Sequence, residues 1–159
     1  MPIEKDEYLT EEGLKKLIKE VEHLETVERS RISQQISEAR DKGDLSENAE
    51  YDAAKAAQEL IEMRIARIKE KIYNARVIDS SQVDRSKVSI LSTVHIKNIT
   101  KGIIQIYTLV PESEADLSVG RISIKTPIAQ GLLGKKIGET SNIILPNGNK
   151  MVLEILKIH

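Results

Sequence analysis

Hydrophobic positions in the first half of the chain recur at spacings of three and four, which predicts two long amphipathic helices. The first stripe contains one slip, between Val27 and Ile32. Such narrow stripes on highly charged helices are typical of coiled-coil seams. The first stripe comprises Leu14, Leu17, Ile18, Val21, Leu24, Val27, Ile32, Ile36 and Ala39, and the second comprises Ala53, Ala57, Leu60, Ile61, Ile65, Ile68, Ile72 and Ala75.

A short polar segment separates the two stripes. Residues 40–47 are mostly polar and surround Gly43, so the two helices are expected to lie antiparallel. Each predicted helix has about 30 residues and would extend about 45 Å. We expect Thr10 to cap the first helix. Small residues would let the helices approach closely near the turn; they are Ala39, Ala53 and Ala57.

The second half of the chain is rich in β-branched residues that partly alternate with polar ones, which predicts strands. Asn147-Gly148 is a tight-hairpin signal, and Thr126 followed by Pro127 predicts a capped short helix over 128–133. The sequence thus predicts an α+β protein, with an antiparallel coiled-coil hairpin at 1–79 and a small antiparallel-sheet domain at 80–159. The predicted strands are 88–96, 103–110, 122–124, 142–145 and 150–158.

Charge and composition exclude several classes of function. The 159 residues have a net charge of -1, which does not favour bulk attraction to DNA. Residues 1–79 hold 14 Lys and Arg against 19 Asp and Glu, whereas the remainder hold 10 against 6, which indicates two modules with different partners. No cysteine is present, which excludes thiolate chemistry. Without a membrane span or signal peptide, we expect a cytoplasmic protein.

The predicted turn carries the strongest candidate chemistry. Asp41, Asp44, Glu47 and Glu50 recur at a spacing of three. In one interpretation Asp44 and Glu47 form a capping box at the start of the second helix. In the other they are a carboxylate pair that binds Mg²⁺ weakly, with the remaining ligands supplied by a second macromolecule. The spacing alone favours the capping box and leaves the carboxylate pair open.

The spacing of the three histidines along the sequence does not indicate a metal site. His23, His95 and His159 are scattered and share no metal-ligand spacing. His95 lies in a predicted strand, where a packed or solvated histidine is more common than a catalytic one. No nucleophile elbow, HExxH motif or phosphate-binding loop occurs either. We therefore expect no cofactor of the chain's own.

Three motifs carry a resemblance to a known family. Residues 43–51, preceded by Ala39-Arg40, resemble the tip of the Gre family of bacterial transcript-cleavage factors. Residues 126–135 resemble that family's second signature, and residues 74–79 resemble its junction. The resemblance covers essentially the whole chain, in the right order and length. It implies a coiled coil followed by a globular domain similar to FK506-binding proteins.

The resemblance also implies a function and a partner. The globular domain would dock on RNA polymerase near its secondary channel, and the coiled coil would place its tip beside the active site. Asp44 and Glu47 would then help to hold the polymerase's second Mg²⁺ and orient the attacking water. The polymerase would cleave the RNA 3′ end extruded in a backtracked complex. The chain would thus stimulate an enzyme without being one.

Further site residues follow from the same resemblance. Arg40, Lys42 and Lys55 are candidates for contacts with the RNA phosphates, although ordinary solvated helix charge explains them equally well. Such a small basic patch suits the Gre subgroup that is linked to short cleavage products. Residues expected to support the tip are Asp41, Asn48 and Tyr51, and those expected to dock on polymerase are Thr126, Pro127, Ile128, Ala129, Gln130 and Gly131.

Departures and alternatives remain. Gln130 stands where many Gre relatives have arginine, which removes one charged docking contact, and part of this segment is expected to pack in a core. A Gre-like paralogue that blocks the channel without cleavage is an alternative, because Asp41 adds a carboxylate to the tip. Prolyl isomerisation is disfavoured, since Tyr107 is the only aromatic residue of the second half. We expect the free chain to be monomeric and to have no membrane partner.

Overall fold

The computed structural model describes residues 7–44 and 47–159, which divide into two compact units. One unit comprises Glu12–Arg76 with the segment that ends at Glu7, and the other comprises Tyr8–Glu11 and Val77–His159. Two short strands, β1 (Glu7–Leu9) and β2 (Ala75–Val77), pair in a two-stranded sheet. Within the described residues, no helix is long and apolar enough to cross a membrane.

The first unit is the predicted helical hairpin. Its first arm consists of α1 (Glu11–His23), a π-helical turn (Leu24–Glu28) and α2 (Arg29–Asp41), and its second arm is α3 (Ala49–Tyr73). Two clusters of buried side chains form the seam between the arms. The seam clusters are Val21, Leu24, Ile65 and Ile68 in one, and Ile32, Ile36 and Ala54 in the other.

The π-helical turn accounts for the slip in the first stripe. Eight residues of regular α-helix would leave Ile32 about 80° away from Leu24 around the helix axis. The N–H of Arg29 donates to the Leu24 carbonyl, so one extra residue is absorbed and about 100° is removed. Leu24 and Ile32 are therefore both buried. Val27, predicted to lie in the stripe, is half exposed, so that assignment was wrong.

The seam of α3 also differs from the prediction in detail. Ala54 is buried and Ala53 is exposed, although Ala53 was expected to face the first arm. The seam positions 54, 57, 61, 65, 68 and 72 keep spacings of three and four. Leu60 lies one residue, about 100°, from this seam and is 68% exposed. Ala75 is in β2 rather than in the helix.

The second unit is built around a five-stranded sheet that comprises β3 (Thr93–Asn98), β4 (Ile103–Val110), β5 (Arg121–Ser123), β6 (Thr140–Ile144) and β7 (Lys150–Ile158). The strand order is β5-β4-β3-β7-β6. Its buried core includes Val94 and Ile96 from β3 and Leu153 and Ile155 from β7, and the short helix α4 (Pro127–Leu132) contributes Leu132 to it.

The β6–β7 hairpin confirms the prediction from Asn147-Gly148. Gly148 has a φ of 85°, a backbone conformation that glycine adopts without strain. Two other expectations were wrong. Residues 88–92 lie outside the strands, with Leu91 at a φ of 70°. β5 pairs in parallel with β4, because the crossover over residues 111–120 returns the chain to the same direction.

Within the second unit, Glu114 contacts Thr10, a residue that is distant from it in sequence. Its carboxylate accepts hydrogen bonds from the Thr10 N–H, at 3.0 Å, and from the Thr10 hydroxyl. Arg121 Nη2 lies 3.7 Å from Glu114 Oε1. Thr10, which we predicted to cap α1, donates to the Glu114 carboxylate.

Candidate functional site

The turn between α2 and α3 places its acidic residues on the surface. The N–H of Lys42 donates to the Ala39 carbonyl at 3.2 Å, which closes the last turn of α2. Gly43 follows with a φ of 132°, a value that side-chain-bearing residues rarely adopt. Asp44 and Glu47 are both exposed. Residues 45 and 46, between them, lie outside the described residues.

Asn48, not Asp44, caps α3. The Asn48 side-chain oxygen accepts from the Tyr51 N–H at 3.1 Å, and its backbone carbonyl accepts the first helical bond from the Asp52 N–H at 3.1 Å. The Asn48 amide also donates to the Ala39 carbonyl at 2.5 Å. It therefore joins the end of one arm to the start of the other.

The capping-box interpretation of Asp44 and Glu47 is consequently wrong. Both residues precede the helix start at Ala49, so they do not share a helical face at a spacing of three either. Asparagine and aspartate cap helices about equally well, so capping preference alone does not separate Asn48 from Asp44. The Ala39 carbonyl decides among them, because Asn48 has an N–H group to donate to it and a carboxylate has none.

The remaining tip residues divide into packed and charged ones. Tyr51 is half-buried and packs against the cluster of Ile32, Ile36 and Ala54. Lys42 Nζ lies 2.8 Å from Glu50 Oε2, and this hydrogen bond raises the pKa of Lys42. The ion pair offsets the charge of Glu50.

The cations beside the tip lie on both arms. Arg40 is exposed near the end of α2, and Lys55 is exposed in α3, where its Nζ donates to the Gln58 side chain at 3.0 Å. Both side chains reach solvent, whereas Lys42 is engaged by Glu50. Asp41 is exposed at the last position of α2.

The second candidate segment, residues 126–131, opens α4. Thr126 caps the helix, since its hydroxyl accepts from the Ala129 N–H at 3.2 Å, and Pro127 follows at the first position. This confirms the predicted helix start. Ala129 is completely buried and Ile128 packs against the core. Pro127 and Gln130 are exposed.

Gly131 and Gln130 have visible structural roles. A Cβ atom on Gly131 would come within 2.7 Å of the Ile143 side chain, and the Gly131 carbonyl accepts from the Ser141 hydroxyl at 2.7 Å. A side chain at this position would therefore separate α4 from β6. The Gln130 amide donates to the Ile124 carbonyl at 2.6 Å.

Comparisons with known proteins agree with both halves of the chain. A family model described as "Transcription elongation factor, N-terminal" matches residues 7–77, and one described as "Transcription elongation factor, GreA/GreB, C-term" matches residues 82–159. The chain belongs to the GreA/GreB family of transcription elongation factors. The earlier resemblance to the Gre family is confirmed.

Individual relatives cover nearly the whole chain. It is 60% identical to transcription elongation factor GreA of Flavobacterium johnsoniae over 151 residues, or 95% of each chain. It is 54% identical to GreA of Amoebophilus asiaticus over 156 residues, covering 98% of this chain and 99% of that one. The solved structure of the GreA factor homologue Gfh1 of Thermus thermophilus matches 98% of this chain and 99% of that one, with 21% identity and a TM-score of 0.45.

Proposed function

We propose that this GreA/GreB-family chain binds RNA polymerase, inserts its helical hairpin into the secondary channel and stimulates the polymerase's own cleavage of backtracked transcripts. The observation that carries the proposal is the pair of exposed carboxylates, Asp44 and Glu47, at the turn of a helical hairpin. Family membership supplies the context of transcription elongation.

The hairpin is suited to delivering its tip. α3 has 25 residues, which correspond to about 37 Å at 1.5 Å per residue. Ion pairs link the arms along its length, as between Arg29 and Glu62, where Nε and Oε1 are 2.7 Å apart, and between Lys69 and Glu25. The arms are held along a narrow seam, so the hairpin is slender as well as long.

The tip carboxylates fit Mg²⁺ chemistry in a complex. Carboxylate oxygens are ligands that Mg²⁺ prefers, and it is often held by one or two of them plus water and substrate phosphate. Two carboxylates alone form a weak site, so in this proposal the polymerase and RNA supply the remaining ligands. The chain then has no cofactor of its own and donates Asp44 and Glu47 to the Mg²⁺ of the polymerase active site.

The proposed reaction is hydrolysis of one phosphodiester bond by the polymerase. The oxygen of a water bonds to phosphorus, and the 3′ oxygen of the upstream nucleotide leaves and takes a proton. The upstream RNA then ends in a 3′-hydroxyl that can be extended, and the released fragment begins with a 5′-phosphate. Asp44 and Glu47 would help to hold a Mg²⁺ ion that would stabilise the attacking or leaving oxygen, and the two carboxylates would orient the water.

The other tip and docking residues have supporting roles in this proposal. Arg40 and Lys55 contact phosphates of the nascent RNA 3′ end. Lys42 and Asp41 shape the local field. In the second unit, whose likeness to FK506-binding proteins is part of the proposal, Pro127 and Gln130 are the members of the docking segment that can contact polymerase, because both are exposed.

The test uses purified RNA polymerase halted in a backtracked complex with end-labelled RNA and Mg²⁺. We expect the wild-type chain to release short 3′ fragments and restore extension. Asp44→Asn and Glu47→Gln should each lower the cleavage rate by about 10²-fold or more, with polymerase binding unchanged. Glu59→Gln, the same loss of charge at an exposed position within α3, is the matched control.

The outcomes discriminate between the functions considered. Cleavage by Asp44→Asn at the wild-type rate would remove Asp44 from the metal role. Binding by the wild-type chain without cleavage would indicate a channel-blocking paralogue. That alternative is less supported, because relatives at 54% and 60% identity are named GreA. Failure to bind polymerase would overturn the proposal as a whole.

A further inference from the structure

Two histidines that are distant in sequence meet on the second unit. His95 lies in β3, and His159 directly follows β7. Their Nε2 atoms are 3.2 Å apart, and their ring centres are 5.1 Å apart with the ring planes at 54°. The third histidine, His23, is in the first unit, where its Nε2 lies 3.7 Å from Glu28 Oε1.

The sheet register produces this pair. Val94 is opposite Ile158, and Thr93 and His159 exchange backbone hydrogen bonds of 2.7 and 2.8 Å. His95 is thus the diagonal neighbour of His159 on the same face. Val94 and Ile158 are buried in the core, so the two imidazoles lie on the opposite, outward face.

We propose that the Nε2 atoms of His95 and His159 form a binding site for a borderline transition-metal dication of the Zn²⁺, Ni²⁺ or Cu²⁺ type. Metal–imidazole bonds of about 2.0–2.1 Å at a tetrahedral angle place two ligating nitrogens about 3.3 Å apart. The observed separation of 3.2 Å matches this spacing without movement of the backbone. Neutral imidazole is a preferred ligand of these ions.

Metal binding would replace the hydrogen bond between the two imidazole rings. In the metal-free pair, one Nε2–H donates to the lone pair of the other Nε2. When the metal binds, that ring shifts its proton to Nδ1, so both Nε2 lone pairs face the ion and no net proton is released from the neutral pair. Metal binding requires both Nε2 atoms to be unprotonated, because a protonated nitrogen has no lone pair to donate.

The charged residues around the pair make the site selective. Lys157 is opposite His95 on β7, Lys97 is next along the outward face of β3, and Glu154 is opposite Lys97. On β4, His95 faces Ile106, which is uncharged. Two cations beside the pair disfavour ions held only by charge, such as Mg²⁺, whereas a bond to imidazole nitrogen tolerates them better. The site is thus chemically distinct from the carboxylates of the tip.

The metal would coordinate few protein groups. Among residues 7–44 and 47–159, no three His, Cys, Asp or Glu side chains converge to hold an ion. Water would complete the coordination of an ion on His95 and His159. Bound metal would link β3 to the end of β7, and loss of either histidine would remove half of the protein ligands.

The experiment titrates Zn²⁺ into the full chain, without an affinity tag, by calorimetry at pH 7.5 in the presence of excess Mg²⁺. The Mg²⁺ occupies carboxylates but not imidazoles. We expect one Zn²⁺ per chain, with an affinity at least about tenfold lower in His95→Ala and in His159→Ala. His23→Ala is the matched control and should bind as the wild type does. Thermal unfolding checks that each variant is folded.

A second measurement identifies the ligands directly. Substoichiometric Cu²⁺ broadens the NMR signals of imidazole protons near the ion, and three histidines give a simple spectrum. We expect the signals of His95 and His159 to broaden together before that of His23. Equal broadening of all three, or unchanged Zn²⁺ affinity in folded His159→Ala, would overturn the site.

Discussion

The hairpin tip and the start of α4 both match family motifs, but they place their residues in opposite environments. Asp44 and Glu47 are exposed at the tip, whereas Ala129 and Leu132 of α4 are completely buried. At the tip, Asn48 bonds the two arms together and Tyr51 packs in the seam. Similar motif matches therefore have different physical causes. The α4 motif reflects packing, whereas the tip motif places its carboxylates on the surface.

The largest expected effect concerns the buried residues of α4. Leu132→Ala removes a fully buried side chain from the core of the second unit and should lower its free energy of unfolding by about 2–5 kcal/mol. Native-state hydrogen exchange with mass spectrometry separates peptides of the two units. Leu60→Ala is the matched control, because Leu60 is 68% exposed and its loss should cost less than about 0.5 kcal/mol. Equal decreases in the free energy of unfolding for Leu132→Ala and Leu60→Ala would contradict the assignment of α4 to the core.

The next effect separates structural from functional residues within the tip. Asn48→Ala removes the cap of α3 and its bond to the Ala39 carbonyl, which should cost about 1–2 kcal/mol. Asn48→Asp keeps the acceptor for the Tyr51 N–H but loses the donor to the Ala39 carbonyl. Its decrease in the free energy of unfolding should therefore be intermediate. Asp44→Ala should lower the unfolding temperature less than Asn48→Ala does. Thermal unfolding followed by circular dichroism measures all three variants, and a decrease for Asp44→Ala equal to that for Asn48→Ala would restore Asp44 as the cap.

The smallest effect concerns the ion pairs on the exposed hairpin. Hydrogen bonds from Arg29 lower the pKa of Glu62, and those from Arg31 lower the pKa of Glu28. Because the pKa values of Glu62 and Glu28 are lower in the folded chain than in the unfolded chain, the two ion pairs stabilise the fold fully at pH values above the ordinary glutamate pKa. This stabilisation is lost as pH falls through the folded-state values. We expect the hairpin's unfolding temperature to decrease slightly from about pH 6 to about pH 3, and less so at high salt.

Variants test the source of this pH dependence. Glu62→Gln should flatten the decrease, and Glu59→Gln should leave it as in the wild type, because the latter removes an exposed glutamate away from Arg29. Unfolding temperatures across the pH range provide the measurement. A wild-type slope in Glu62→Gln would show that the Arg29–Glu62 pair does not contribute.

Much of the local structure could be predicted from the sequence. The three-and-four periodicity predicted both arms, Thr126-Pro127 predicted the start of α4, and Asn147-Gly148 predicted the β6–β7 hairpin. Each of these signals depends on residues within a few positions of one another. The candidate carboxylates were found in the same way, from their clustering around Gly43. Their roles in Mg²⁺ binding and cleavage rest on the family and on the proposed experiment.

Other features depend on segments that are distant along the chain, and only the tertiary structure decided them. The choice of Asn48 as cap requires the Ala39 carbonyl of the opposite arm. The π-helical turn keeps both Leu24 and Ile32 in the seam with α3. The parallel pairing of β4 with β5 and the meeting of His95 with His159 follow from strand register. Local periodicity and turn chemistry determine which elements form, but pairing between elements depends on which buried faces and hydrogen-bonding groups are satisfied together.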